Sequence, residues 1–219
     1  MNPRLEAVLS VVLTVAAVVI AGVFVFRTAF TPTAVRSGAA APPVQVSNRA
    51  ELEAEGQQLG DPDAPVQIAV FSDLECPFCR GFHTMITRLE QEFPGQLAMT
   101  FIHFPLENHR FALPAAKALE CAGQQGRFRE YLDLSFAKQD SLGLKSWASY
   151  ASDAQVPNDV RFESCVADSI LPTPIVRGRN LGKSMDMNGT PTVVLNGLRY
   201  SVPPPESLIR ALLSDAGSH

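Results

Sequence analysis

The chain has 219 residues, enough for one well-buried domain with an elaboration, or at most two small domains. Its 18 Lys and Arg against 22 Asp and Glu leave a net charge of −4, so there is no basic footprint and nucleic acid is excluded as an expected partner. Four cysteines, an even number with one close pair, point instead to disulfide chemistry.

The N-terminus differs from the rest of the chain. Ala7 to Phe26 is an uncharged run of 20 residues, which as a helix would span about 30 Å and match a bilayer core. A cleavable signal has a shorter apolar region followed closely by a small-x-small site, whereas here Ser37-Gly38-Ala39 come well after the run. We read residues 1–30 as a single-pass membrane anchor, crossing through residues 7–26, and no nearby cysteine could carry a lipid. Arg4 lies on one side and Arg27 and Arg36 on the other, so charge alone does not orient it. Cysteine usage does: disulfides persist and exchange outside the cytoplasm, which places the N-terminus inside and the folded domain outside. Residues 31–57 read as a linker, rich in Thr, Pro, Ala, Ser and Gly as far as residue 48, and a lead-in segment to a domain over residues 58–219.

That domain opens on an apolar strand, Ala64 to Ser72, and Asp73-Leu74-Glu75 carry the chain out of it. Cys76-Pro77-Phe78-Cys79 then starts a helix. Pro77 suits the first helical position, where its ring supplies the needed φ and no N–H is missed, which leaves Cys76 as the N-cap. Its sulfur meets orphan N–H groups and the positive end of the helix dipole, so Cys76 is the expected nucleophile and Cys79, one turn on, the resolving thiol. Asp73 and Glu75 would oppose this, because negative charge near the sulfur disfavours a thiolate, and the sequence leaves open which influence wins. Phe78, Phe82, Met85, Ile86, Leu89 and Phe93 fall at helical spacing and form a core face, and Pro94-Gly95 stops the helix. His83 has two readings, a surface or cap residue or a tuning neighbour of Cys79.

Gln96 to Phe104 is a second strand, completing a parallel, right-handed strand-helix-strand unit. Helical patterns follow over Pro114–Ala122, Arg127–Gln139, Leu144–Ala154 and Pro157–Ile170, and residues 106–185 together read as a helical insertion. Trp147, amid Leu142, Leu144 and Tyr150, reads as packing. His103 and His109 flank Phe104-Pro105-Leu106, with no acyl-transfer signature around them, and read as strand-end and cap residues. Thr192–Leu195, Asn196-Gly197 and Leu198–Ser201 read as strand, type I′ turn and strand, and a last helix runs from Pro205 or Glu206 to Leu213.

Three blocks, FSDLECPFCRGFH, HFPLENHRFALPAAKALECAGQQGRFREYLDLSF and GTPTVVLNG, occur in this order within residues 58–215. Together they resemble the DsbA-like thiol-disulfide oxidoreductases of the thioredoxin superfamily. The resemblance implies an α/β thioredoxin fold with an inserted helical domain, here preceded by the transmembrane helix. It implies a cis Thr190-Pro191 bond beside the two sulfurs, where an extended substrate could pair with the Thr190 backbone. It further implies an enzyme that oxidises reduced or misbridged exported proteins through Cys76-Cys79 and is reoxidised by a quinone-linked membrane partner, with no cofactor and no metal of its own. The Pro77-Phe78 dipeptide leaves the redox direction open, so a reductase or isomerase remains the alternative. From another class, a peptide-binding or chaperone module could keep the C-x-x-C as an inert bridge. The resemblance also puts Cys121 and Cys165 on two helices of one small bundle, where they form a structural disulfide, two buried free thiols, or part of a four-cysteine zinc site.

Overall fold

Residues 12–23, 26, 42–46, 49–200 and 202–217 are described by the structure, a computed structural model. The chain divides into two units, Met1–Ala39 and Ala40–His219. In the first, residues 12–23 are helical (α1) with exposed side chains. Part of the expected span 7–26, namely residues 7–11, 24 and 25, lies outside the described residues, and among those described no helix is long and apolar enough to cross a membrane.

The second unit runs β1 (Val44–Gln45), α2 (Arg49–Glu55), β2 (Gln57–Leu59), β3 (Val66–Ser72), α3 (Pro77–Glu92), β4 (Leu97–His103), α4 (Ala112–Gly123) and α5 (Phe128–Ala137). A 3₁₀ turn (Gln139–Ser141) follows, then α6 (Trp147–Asp153), α7 (Asp159–Ala167), α8 (Thr173–Ser184), β5 (Thr192–Leu195), β6 (Leu198–Tyr200) and α9 (Glu206–Ala216). The strands form one sheet in the order β1-β6-β5-β3-β4-β2. β3 and β4 are parallel, as a helical crossover between them requires, while β5 runs antiparallel on the other side of β3 with Ile68 opposite Leu195.

Side-chain alternation along β3 divides the domain into two cores. Val66, Ile68 and Val70 face the larger one, with Ile86 and Leu89 of α3, Leu119 of α4, Tyr131 of α5, and Ile209 and Leu213 of α9. Ala69 and Phe71 face the other, with Leu52 of α2 and Leu181 of α8. A strand buried on both faces needs an apolar run rather than alternation, which is what made β3 readable. Asn196 and Gly197 have φ of 47° and 83°, the left-handed pair that a type I′ turn between β5 and β6 requires.

The structure corrects the expected boundaries in several places. The linker and lead-in segment contain β1 and α2, and β2 begins at their last residue, Gln57; β2 pairs antiparallel to β4 and β1 to β6. The pattern over Arg127–Gln139 ends as a helix at Ala137 and tightens into the 3₁₀ turn. Ser146 caps α6 by accepting the Ser149 N–H, so the helix starts at Trp147 and Leu144 is left 86% exposed. Asn158 does the same for α7, accepting the Arg161 N–H at 2.8 Å. α8 was not anticipated. It packs closely on β4 because Gly178 has no Cβ to meet the His103 carbonyl.

Cys121 of α4 and Cys165 of α7 are joined by a disulfide with Cα atoms 5.8 Å apart. The bridge leaves no thiols there for a zinc site. Trp147 packs against the larger core, partly buried.

Candidate redox site at the start of α3

β3 delivers the chain to the edge of the core, and a turn closed by the Cys76 N–H on the Asp73 carbonyl at 3.1 Å starts α3. Whether the two acids of this turn or the donors prevail at the sulfur, open in the sequence, is decided by where the carboxylates go. The Asp73 carboxylate, fully buried, accepts the N–H groups of Glu75 at 2.7 Å and Leu106 at 2.8 Å and pairs with His109 Nδ1 at 2.8 Å. Glu75 accepts the Phe111 N–H at 2.5 Å. Both carboxylates are engaged by backbone donors, most of them in the connection after β4, and neither figures among the main influences on Cys76. His109 is thus a partner of the redox turn rather than the cap expected of it.

Cys76 is the N-cap of α3, with φ −74° and ψ 119°, and Pro77 occupies the first turn. Both Cys76 and Cys79 are free and buried, 3% and 1% exposed. The Cys76 thiol is lowered from 9.0 to about 5, first because the Cys79 thiol donates to its sulfur. Burial works against this, and the Thr190 hydroxyl and the backbone N–H groups of Cys79 and Phe78 add to it. The helix terminus is therefore a lesser donor than the sequence suggests, and the Cys76 side chain makes no regular capping hydrogen bond. Cys79 moves in the other direction, its thiol pushed far up by burial and then by the Cys76 sulfur that shares its proton. One sulfur is poised to carry charge and the other to keep its proton.

The Thr190-Pro191 peptide is cis and leads into β5. It lies against the first sulfur: the Cys76 thiol donates to the Thr190 carbonyl at 3.3 Å. Thr190 Oγ1 is buried and makes no regular hydrogen bond, the sulfur included, although its hydroxyl helps to hold the Cys76 pKa down. Beside this contact opens a groove of about 560 Å³, floored by Gly81, Phe82 and Met85 of α3 and walled by Asn188–Thr192 and the Val202–Glu206 segment. Phe78 also lines it and is 75% exposed, so it is not part of the core face assigned to α3. Sitting between the two cysteines in the first turn, it faces the groove rather than the sheet.

His83 is neither a surface residue nor a cap. It is 6% exposed and pairs with Asp133 of α5 at 2.7 Å, beside the Arg129–Glu90 pair. His103, the last residue of β4, pairs with Glu120 of α4 at 2.8 Å. Both histidines tie the sheet domain to the helical insertion. Sequence reading missed a third tie, Gln139, whose Nε2 donates to the carbonyls of Leu74 at 2.8 Å and Cys76 at 2.9 Å. Among the described residues no group of His, Cys, Asp and Glu could hold a metal ion.

A C-x-x-C at a helix N-terminus, a cis-proline loop against its first sulfur and a helical insertion between β4 and β5 define a thioredoxin-like domain with DsbA-like architecture. The thioredoxin family profile, described as "Thioredoxin", matches residues 53–215, and the chain belongs to that family. A Na(+)/H(+) antiporter NhaA 1 from Mycolicibacterium gilvum is 37% identical over 165 residues, covering 72% of this chain and 26% of that protein. The chain thus spans about a quarter of the length of the curated relatives it matches. Oxidised BdbD from Bacillus subtilis superposes with TM-score 0.66 at 18% identity, over 82% of this chain and all of that one. Wolbachia pipientis alpha-DsbA1 superposes with TM-score 0.60 at 21% identity, over 74% and 92%.

Proposed function

We propose that the chain is a thiol-disulfide oxidoreductase that oxidises cysteine pairs of exported proteins. The observation that carries this is the split between the two sulfurs, Cys76 lowered to about 5 and Cys79 raised, at a helix start open to a groove. In the oxidised enzyme a substrate thiolate attacks Cys76 Sγ and Cys79 leaves with the electron pair of the broken bond, taking up a proton. A second substrate thiolate then attacks the substrate sulfur of the mixed disulfide and expels Cys76 as a thiolate. The substrate loses two electrons and gains a disulfide, and the enzyme keeps the electrons as one thiolate and one thiol. A low-pKa Cys76 is the better leaving group in that last step, which favours the oxidising direction. The Thr190 backbone and the groove beside it suit an extended peptide.

The electrons must then pass to an acceptor, for which we propose a quinone-linked membrane partner, with residues 7–26 anchoring the domain outside the cytoplasm in the same plane. The match to a segment of membrane antiporters supports a place beside a membrane. A redox titration of the purified protein against glutathione tests the direction. We expect a potential well above that of thioredoxin, about −270 mV, and toward that of DsbA, about −120 mV; a value near the former turns the reading to a reductase.

A further inference from the structure

Gln139 belongs to the insertion, 63 residues beyond Cys76, yet it is 8% exposed with its amide seated under the redox turn. Both protons of one nitrogen are used, on the Leu74 and Cys76 carbonyls at 2.8 and 2.9 Å, and a carboxamide makes this pair of bonds without adding charge. Lys or Arg could donate as well but would place a cation under the turn; Ser or Thr could serve one carbonyl only. The Cys76 carbonyl also accepts the Arg80 N–H at 3.2 Å, so Gln139 joins the first hydrogen bond of α3 to the insertion.

Gln139 is itself held. Its carbonyl accepts the Leu142 N–H at 3.0 Å, and the preceding carbonyl, of Lys138, accepts the Tyr150 hydroxyl at 2.9 Å. The next residue, Asp140, pairs with Arg80 of α3 at 3.0 Å. The amide is therefore presented by a braced 3₁₀ turn rather than by a loose loop.

We infer that Gln139 is a positioning residue for the redox turn: by fixing the Leu74 and Cys76 carbonyls it sets the orientation in which the Cys76 sulfur meets its donors. This rests on the redox reading above. Released, the Leu74 carbonyl loses the Gln139 amide in a buried site and the Cys76 carbonyl keeps only the Arg80 N–H, so the sulfur loses the backbone angle that keeps it against Thr190 and Cys79. The charge on Cys76, and with it the potential, then depends on a residue of the helical insertion.

The test measures thiolate absorbance of reduced protein against pH, and equilibrium with glutathione, for the full chain and for Gln139→Leu, Gln139→Glu, Gln139→Asn and Ser135→Ala. We expect Gln139→Leu to raise the Cys76 midpoint by about one pH unit and make the protein about tenfold less oxidising, which is about 30 mV. Gln139→Glu should raise it further, since a carboxylate faces two carbonyls, and Gln139→Asn, one methylene short, should fall between parent and Gln139→Leu. Ser135→Ala removes a buried hydrogen bond to the Tyr131 carbonyl within the same insertion, and should lower the melting temperature with the midpoint unchanged. Folded Gln139 variants that keep the parent midpoint would overturn the inference. So would failure of all three to fold, which makes Gln139 a folding residue alone. The comparison with parent is read whichever direction the parent potential favours, so a thioredoxin-like parent value sinks the oxidase reading and leaves this one standing.

Discussion

The chain carries two cysteine pairs in one domain, and their surroundings differ in the donors that face the sulfurs and in the length of loop each pair closes. Cys76 and Cys79 lie at a helix start, against a loop carbonyl and hydroxyl, beside an open groove. Cys121 lies inside α4, 1% exposed, bridged to Cys165 of α7 across 44 residues of sequence. The first pair closes so short a loop that bridging it contributes little chain entropy, which leaves its redox balance to the groups that stabilise a thiolate. The second closes a long loop and stabilises the fold by restricting the unfolded chain. Loop length and donors, rather than cysteine count, separate a reactive bridge from a structural one.

The comparison breaks most sharply on substitution of the sulfurs. Cys76→Ser should reduce oxidation of a reduced test protein to the uncatalysed rate, and Cys79→Ser should accumulate mixed disulfides through Cys76, visible on non-reducing gels. Replacing both Cys121 and Cys165 by Ala should leave that rate near the parent's while costing up to about 4 kcal/mol of unfolding free energy in denaturant titrations. If the double variant lost oxidation while still folded, the two pairs would not be separable as argued.

Much of this contrast was legible in the sequence and some was not. β3, α3 and β4 announce themselves because a strand buried on both faces carries a largely apolar run and a docked helix carries a stripe. The Asn196-Gly197 turn does so because few residues tolerate two left-handed φ values in succession. α8 stayed hidden because its buried positions include Gly178 and Gly182, which read as breakers in sequence and act as contact points in the fold. Asp73 and Glu75 are legible along the chain but their effect is not, since only the fold shows their carboxylates turned to Leu106, His109 and Phe111. Gln139 had no signal at all: its partners are backbone carbonyls, which every sequence supplies.

The pH dependence sharpens the comparison next. Cys76 is depressed in the folded reduced protein, from 9.0 to about 5. Such a group adds stability that is fully present above about pH 9, its ordinary value, and is lost as pH falls through about 5. The oxidised protein has no such term. The stability of the reduced form relative to the oxidised form should therefore grow between about pH 5 and pH 9 by about 1.4 kcal/mol per unit, until other thiols ionise, and be flat below. The potential should fall by about 60 mV per pH unit below the Cys76 midpoint, where reduction takes up two protons, and by about 30 mV above it, where it takes up one. A single slope from pH 4 to 8 would mean that Cys76 is an ordinary thiol and that the two pairs differ only in loop length.

The smallest expected effect concerns the loop that faces the first pair and has no counterpart at the second. Thr190 acts on Cys76 in two ways, through a carbonyl that accepts from the thiol at 3.3 Å and through a buried hydroxyl, without a regular hydrogen bond of its own, that helps to lower the thiol's pKa. These act in opposite directions, because the carbonyl favours the protonated sulfur and the hydroxyl the ionised one. Thr190→Val removes the hydroxyl while keeping the branched shape and the carbonyl, so the balance should tip toward the thiol. We expect the Cys76 midpoint to rise by less than about one pH unit and the potential to fall by less than about 30 mV, with little change in the unfolding temperature of the oxidised protein, which carries no thiolate there. The larger donor, the Cys79 thiol, stays in place, which is why the shift should be partial. A midpoint that did not move would assign the whole depression to Cys79 and the helix start, and the Thr190 loop would then serve to hold substrate rather than to tune the sulfur.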